Sequence, residues 1–480
     1  MSSRLASVAY SAAGLYSNHL LSFLTAAVLS RLLDPSDFGI VALLLLLNGF
    51  LGLFASAGVS SVVVQFGDLS KKDIHSLIGL CWFLGVLLAG ISVMLSPFVA
   101  TFFDTTALQK IIPVGSIAIL LSPCSQVIDG ILIRDNQFAR RSLLSFSSAL
   151  AASFIGISMA FSGYGYWALV VQIVARPFFS LFLGCLALKL LPLPYLDFRL
   201  YRKVGRYTID LVGFRLLNYL TRNIDNLIIG RRLGLSELGY YSRAFALFDL
   251  TTNMLQSALG PVLHSSFQKT KDNYPALKID VIRVISMVAS MSFPVMGIAS
   301  IYSEYLIFII WGDGWNAAIF PFSVLAVVGM FRPIQAICGE LLKTMDRTRE
   351  LVFWGVFRLS IFTLAIIWGT YYGINGVAVA VLVASLINWM VFCGSVLAKH
   401  LKMSLSEMFL IFVPALKVVL LILPIAFLFK NYLYKDLSDL LNLIISTISL
   451  GALMVMIYKT FDNPVLQLIY QTIKKLRGMI

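Results

Sequence analysis

The chain has 480 residues, of which 59% are hydrophobic and only 12% are charged, and its mean hydropathy is +0.89. This composition excludes an ordinary soluble domain, because a solvated surface needs about a quarter of all residues to be charged. The 5 cysteines show no CxxC spacing and the 4 histidines are scattered, so neither a disulfide framework nor a metal site is indicated. The net charge of +14 accompanies no soluble domain that could present a basic patch to nucleic acid.

Long uncharged stretches dominate the chain. Residues 40–64 and 76–103 contain no charged residue, and each can cross a hydrocarbon core that needs about 20 apolar residues. They far exceed the roughly 10-residue alternating segments of a membrane β-barrel. The first apolar stretch, residues 8–33, is longer than the core of a cleaved signal peptide. The sequence therefore predicts an all-α integral membrane protein with about fourteen transmembrane helices.

Two uncharged stretches are too long for one crossing. Residues 142–175 contain the turn signal Gly163-Tyr164-Gly165, and residues 359–398 contain Gly373-Ile374-Asn375-Gly376. Each stretch is predicted to form a tight hairpin of two helices, because glycine permits the backbone conformations that such turns require.

Lysine and arginine are concentrated in alternate loops. With about fourteen spans, the loops fall alternately on the two sides of the membrane. The loops on one side carry only Arg31, Lys110, Arg231, Arg232, Arg243, Lys430 and Lys435, and those on the other side carry many more. Cytoplasmic loops are the ones enriched in these residues. The distribution predicts that both termini lie in the cytoplasm.

A short motif indicates an internal repeat. Residues 31–39 (RLLDPSDFG) and 231–239 (RRLGLSELG) share Arg, Leu, Ser, an acid and Gly in register. The hairpin glycines Gly165 and Gly373 follow in the same order. An even number of helices separates the matching points, which predicts a parallel pseudo-two-fold repeat of two six-helix bundles. The predicted domains are 1–195 and 196–400 for the bundles, 401–460 for two peripheral helices, and 461–480 for a cytoplasmic tail.

Charged and amide side chains lie inside several predicted spans. Five of them form one face of the seventh helix at the spacing i, i+3, i+7, i+10, i+11, namely Arg215, Asn218, Arg222, Asp225 and Asn226. Other helices contribute Asn18 and His19 in the first, Asp129 in the fourth, Asp249 in the eighth and Arg332 in the tenth. Intramembrane charges usually face a polar cavity, so we predict a water-filled cleft between the bundles.

Two interpretations of these polar residues are open. Arg222 and Asp225 could pair with each other, while the amides hold helices together. Alternatively, two cations on one face require an anion, which Asp129, Asp249 or a substrate could supply.

The motif 31–39, the seventh-helix segment 222–231 (RNIDNLIIGR), the connection 134–138 (RDNQF) and the hairpin 163–167 resemble those of the polysaccharide-exporting flippases of the MOP superfamily (the Wzx-like, PST branch). The resemblance covers essentially the whole chain. It implies two six-helix bundles that form a V and open alternately to each side. It also implies transport of undecaprenyl-diphosphate-linked oligosaccharide repeat units across the bacterial inner membrane, for O-antigen, capsule or exopolysaccharide synthesis.

Roles for the polar residues follow as hypotheses. Arg215, Arg222 and Arg332 are expected to contact the anionic substrate, because guanidinium groups suit phosphate oxygens. Asn18, His19, Asn218 and Asn226 are expected to face sugars. Asp129, Asp225 and Asp249 are expected to balance charge or to couple transport to H⁺ or Na⁺. No other cofactor is expected; membrane lipids and the polysaccharide polymerase and chain-length machinery are the expected partners.

Three other functions remain open from the sequence. A peptidoglycan-precursor flippase and a multidrug exporter belong to the same superfamily, although a drug exporter would be expected to have an acidic cleft. A non-transporting scaffold of a glycan assembly complex is the third. No Walker A, GxSxG or HExxH pattern is present, and an enzyme is not expected.

Overall fold

The computed structural model describes residues 2–56, 59–66, 69–190, 195, 198–271, 273–433 and 438–460. In residues 2–13, 198–212, 214, 253–266 and 433 it describes the backbone alone. Throughout this described part, all regular secondary structure is helical. The predicted tail, 461–480, lies outside the described residues.

The helices follow one another with short connections. In the first half of the chain they are α1 (Ser2–Leu32), α2 (Pro35–Ser56), α3 (Val59–Gln65), α4 (Lys71–Phe102), α5 (Thr106–Gly115), α6 (Ile117–Arg134), α7 (Phe138–Phe161), α8 (Tyr166–Leu188) and α9 (Phe198–Arg232). In the second half they are α10 (Leu235–Thr270), α11 (Tyr274–Ile301), α12 (Ser303–Trp311), α13 (Ile319–Thr344), α14 (Thr348–Gly369), α15 (Gly373–Asn388), α16 (Gly394–Leu401), α17 (Leu405–Leu428) and α18 (Asp439–Thr460). Short 3₁₀ turns occupy Asp313–Ala318 and Thr370–Tyr372, and π-helical turns occupy Trp389–Cys393 and Phe429–Leu433.

Most of these helices are suited to a lipid environment. Within the described residues, 10 helical segments are long and apolar enough to cross a membrane. Three further helices, α1, α9 and α10, have 31, 35 and 36 residues, lengths that also exceed the roughly 30 Å hydrocarbon core at 1.5 Å per residue. The count of about fourteen spans stays a prediction.

Local sequence explains where several helices begin. Ser70 accepts a hydrogen bond from the Asp73 amide while the Asp73 side chain accepts one from the Ser70 amide, and Ser404 and Glu407 form the same reciprocal pair. These capping boxes satisfy amide groups that have no partner inside the helix. They set the first residues of α4 and α17.

The chain divides into two compact units, Met1–Gly239 and Tyr240–Ile480. In unit 1, helices α3, α4, α6 and α8 pack around a buried apolar cluster, α2 packs on α6, and α1 packs on α7. In unit 2, the buried core joins α11, α13, α16, α17 and α18, and α15 packs on α13. The α17 helix contributes one stripe to that core and leaves its remaining face largely exposed. The predicted domain boundaries stay predictions.

Equivalent turns of the two predicted repeat halves have the same backbone. Asn136 and Asp346 both have left-handed conformations, with φ of 56° and 57°, and each turn is closed by the same three hydrogen bonds. Lys189 and Lys402 end the last helices of the two bundles with φ of 50° and 43°. Residues other than glycine rarely adopt positive φ. The same left-handed ending, which many helices share, therefore recurs at both pairs of positions, and the repeat stays a prediction.

Candidate functional site

The polar face of α9 is described from Arg215 onward. Asn218 and Arg222 are exposed, Arg215 and Asn226 are half-buried, and Asp225 is buried. The Asp225 carboxylate accepts a hydrogen bond of 2.9 Å from the amide of Asn226. On this face of α9, Asp225 is therefore shielded from solvent, whereas Arg222 is exposed to solvent.

Neither Arg215 nor Arg222 forms an ion pair with any residue whose side chain is described. Tyr219 lies between them along the helix, and its hydroxyl donates a 2.6 Å hydrogen bond to the carbonyl of Leu46 on α2. Gly49 leaves room for the Tyr219 ring, because any side chain at residue 49 would overlap it. This contact fixes the rotation of α9 against α2 and therefore the direction of its polar face.

A second polar cluster lies in unit 2, between α10 and α13. A terminal nitrogen of Arg332 is 2.8 Å from a carboxylate oxygen of Asp249. The other terminal nitrogen donates to the Thr252 hydroxyl at 3.3 Å, and the guanidinium lies 5.0 Å from the centre of the Phe248 ring. With side chains 15% and 30% exposed, Arg332 and Asp249 form a partly desolvated pair, so their attraction is stronger than that of a surface pair.

Asp129 has a weaker partner. Its carboxylate lies 3.5 Å from Nε of Arg141 on α7, but that nitrogen forms no hydrogen bond. Both side chains are about 40% exposed, and ion pairs of this kind contribute only about 0–1 kcal/mol. Two of the three predicted coupling acids, Asp129 and Asp249, thus face a cation within their own unit.

The polar residues of α1 are divided between two environments. Asn18 donates a 2.8 Å hydrogen bond to the carbonyl of Gly14, and its own oxygen accepts one of 3.4 Å from Ser145 on α7. His19 is exposed. Asn18 therefore joins two helices, whereas His19 keeps its imidazole accessible.

The structure brings together only some of the predicted site residues. Arg332 and Asp249 meet directly, and Arg215, Asn218, Arg222, Asp225 and Asn226 share α9. Sequence reasoning missed Thr252 and Phe248 as partners of Arg332. The three-residue spacing of Asp249 and Thr252, which puts both on one helical face, was a usable signal. No group of three or more His, Cys, Asp or Glu side chains in the described part could hold a metal ion.

Solved structures identify the class of fold. The chain is similar to an inward-closed lipid II flippase MurJ, with a TM-score of 0.71, 13% identity, and coverage of 94% of this chain and 99% of that one. It is also similar to an inward-facing multidrug resistance MATE family transporter of the MOP superfamily, with a TM-score of 0.60, 14% identity, and coverage of 80% and 95%. The chain therefore has the all-helical membrane fold of these two proteins, which confirms the predicted fold class of an all-α integral membrane protein.

Sequence comparison then identifies the family. Residues 28–320 match the family described as "Polysaccharide biosynthesis protein", and the chain belongs to that family. It is 23% identical to the lipopolysaccharide biosynthesis protein WzxC of Escherichia coli (strain K12) over 77% of this chain and 75% of the relative. It is 25% identical to the succinoglycan biosynthesis transport protein ExoT of Rhizobium meliloti (strain 1021) over 74% and 72%. The predicted resemblance is confirmed, because the family and both relatives are named for polysaccharide biosynthesis or transport.

Proposed function

We propose that this protein is a flippase that carries undecaprenyl-diphosphate-linked oligosaccharide repeat units across the bacterial inner membrane by alternating access, for surface polysaccharide synthesis. The family match over residues 28–320 is the observation that carries the proposal. Relatives named for lipopolysaccharide and succinoglycan biosynthesis and transport agree with it. The cytoplasmic position of both termini, expected from the loop charges, is part of the proposal.

The charges inside the spans fit an anionic cargo. A diphosphate that crosses a low-dielectric barrier needs fixed positive charge, and arginine binds phosphate oxygens through two parallel hydrogen bonds. Arg215 and Arg222 on α9 lie one above the other on the same face. Since neither is neutralised by a described acid, both are candidates for contact with the diphosphate.

Arg332 fits the same cargo in a different way. Its guanidinium already binds the Asp249 carboxylate at 2.8 Å, and a phosphate oxygen has the charge and geometry to replace a carboxylate oxygen there. Replacement would move the guanidinium away from Asp249, and a carboxylate that loses a cation in a partly desolvated site gains affinity for a proton or a metal cation. We assign Arg332 and Asp249 to such an exchange, with H⁺ or Na⁺ as the coupling ion.

The second candidate for coupling is Asp225, a buried acid on the polar face of α9. Collapsing the proton gradient and the sodium gradient separately, each with its own ionophore, and following export after each treatment identifies the driving ion. Export that survives the loss of both gradients would contradict coupling at either acid.

A multidrug exporter shares the fold, but a cationic drug would be repelled by Arg215 and Arg222. A peptidoglycan-precursor flippase also shares the fold and would carry the same diphosphate, so the two differ in the glycan. The polymerase and chain-length proteins, which act on the product of this transport step, are the protein partners expected of such a flippase.

The test is a lipid extraction from cells depleted of the protein, followed by mass spectrometry. Completed polyprenyl-diphosphate oligosaccharides should accumulate while surface polysaccharide falls. Accumulation of peptidoglycan precursor instead would identify the alternative cargo. Unchanged lipid-linked glycan would contradict the export function and favour a scaffold.

A further inference from the structure

The α17 helix is attached to unit 2 along one side. Its buried residues form a single stripe, namely Ile411, Ala415, Val418, Ile422 and Ala426. Near the start of the helix, Glu407 forms an ion pair of 2.8 Å with Lys278 of α11. Near its end, the Tyr302 hydroxyl donates a hydrogen bond of 3.2 Å to the carbonyl of Ala426. These contacts fix the rotation of α17 and therefore the face that it turns away from the core.

Beyond the first turn, the outward face of α17 consists mostly of large apolar side chains. Its exposed members are Phe409, Leu410, Leu420, Leu421, Phe427 and Leu428. The α4 helix exposes a similar set, Phe83, Met94 and Phe98, within the uncharged stretch 76–103. An exposed apolar face is what the bilayer requires of any span, so this property alone indicates no partner.

Lys417 interrupts the apolar face of α17. It is exposed and lies about 140° around the helix from the centre of the buried stripe, at roughly 100° per residue. It follows Leu405 by 12 residues and precedes Leu428 by 11, so roughly 16–18 Å of helix separates it from either end. The four-carbon stem of lysine spans less than half of that distance. The ammonium group therefore cannot reach a membrane surface by snorkelling, as lysines near helix ends do.

Two prolines add polar backbone groups to the same face. Pro414 and Pro424 lie inside α17 and lack the amide hydrogen that would bond to the carbonyls of Leu410 and Leu420. Both of these leucines are exposed. Within a bilayer, backbone groups freed by proline are satisfied by neighbouring helices or by polar side chains. The outward face of α17 thus combines one cation with two carbonyls that have lost their usual donor.

Charge distinguishes the occupants that such a face could have. Phospholipids place their phosphates at the membrane surface, which Lys417 does not reach. A second copy of this chain, docked about a two-fold axis through this face, would bring two lysines together, and like charges repel strongly at low dielectric constant. A helix with a carboxylate near its centre supplies the opposite charge, and ionisable residues inside membranes usually pair in this way.

We propose that the outward face of α17 is a docking surface for a transmembrane helix of another membrane protein, whose Asp or Glu near the middle of the span pairs with Lys417. The pair would set the depth and rotation of the partner helix, while the surrounding leucines supply packing. This inference goes beyond the proposed transport function and does not rest on it. The α17 helix lies outside both predicted six-helix bundles, so docking there requires no rearrangement of either bundle.

The test replaces Leu420 with the photoreactive amino acid p-benzoylphenylalanine in the full chain, in its native membrane. Ile448 on α18 is the matched control position, because it is similarly exposed and residues 440–458 contain no charge. Irradiation should join position 420 to a membrane protein that mass spectrometry identifies and that has an acidic residue within a span. The yield of this adduct should fall at least about tenfold in Lys417→Leu and should persist in Lys417→Arg.

Exchange of the two charges shows whether the pairing is direct. Lys417→Glu alone should abolish the adduct, and the same variant combined with lysine in place of the partner's acid should restore it. An adduct whose yield is independent of residue 417 would overturn the proposal. So would an adduct with a second copy of this chain or with a lipid-linked diphosphate, and so would the absence of any adduct at position 420.

The Lys417→Leu variant also requires a measurement of its own stability. Its abundance and its thermal stability in detergent should equal those of the unmodified protein, because leucine only extends an apolar face. A fall in either would show that Lys417 serves the fold of this chain and would overturn the docking surface. If depletion of the protein leaves lipid-linked glycans unchanged, the transport function fails instead, and the adduct measurements still report on docking.

Discussion

The intramembrane arginines of α9 and the single arginine of α13 occupy opposite electrostatic situations. Arg215 and Arg222 have no anionic partner among the described side chains, whereas Arg332 contacts a carboxylate, a hydroxyl and an aromatic ring. A satisfied arginine contributes to the stability of the fold and releases its partner only to a competitor. An unsatisfied arginine contributes little to stability and is available for cargo. Mutations should therefore affect folding in one region and transport in the other.

The largest effect is expected from Arg332→Ala. It removes the guanidinium that the partly buried Asp249 contacts, which costs on the order of 1–3 kcal/mol and should lower both the amount of protein in the membrane and its thermal stability in detergent. Asp249→Ala should lower stability by a similar amount, because it removes the carboxylate that Arg332 contacts.

The double variant Arg332→Ala with Asp249→Ala separates the two roles of this pair. Removing both charges should restore most of the stability while export stays low, because the anion site is gone. Full export by the stable double variant would show that the pair is structural only.

A more selective effect, confined to export, is expected from Arg215→Ala and Arg222→Ala. Each removes a charged hydrogen bond to cargo of about 1.5–3 kcal/mol, which corresponds to roughly a 10- to 100-fold loss of export. Protein abundance should be unchanged, since no described acid is stranded. Export is followed by surface polysaccharide per molecule of transporter.

Lys72→Ala, at an exposed position in the first turn of α4, is the control for loss of one positive charge. Arg222→Lys should retain part of the export, because lysine keeps the charge but loses the bidentate geometry. If Arg215→Ala lowered the abundance of the protein rather than its export, Arg215 would be a residue that stabilises the fold, as Arg332 is.

The smallest effect is expected at α1, where Asn18 and His19 are neighbours in different environments. Asn18→Ala removes hydrogen bonds to Gly14 and Ser145 and should cost about 0.5–1.5 kcal/mol of stability, with nearly normal export. His19→Ala should leave thermal stability unchanged and lower export a few-fold if the imidazole contacts sugar. The opposite pattern in melting and export measurements would reverse these two roles.

Sequence reasoning succeeded where the pattern is local. Uncharged stretches such as 76–103 locate spans because lipid forbids charge over that length, and the face of α9 follows from helical periodicity. It did not reveal that Asp249 contacts Arg332, because α10 and α13 are far apart in the chain and many cations were equally available. The motif glycines suggested a repeat, but only coordinates show that Gly39 lies against the backbone of Leu235 and Gly239 against that of Pro35, since a glycine alone does not specify what approaches it.

The α10 helix also has a mechanical consequence. Between Gly239 and Leu259 the sequence contains neither glycine nor proline, and Gly260 and Pro261 follow. This stretch is about 30 Å long at roughly 1.5 Å per residue, and it is anchored at one end where the backbone of Gly239 lies against that of Pro35. A tilt of about 10° at the anchored end would carry the other end through about 5 Å, close to one helical turn. A small rotation of α10 at Gly239 would therefore produce a much larger displacement at the other end of the helix.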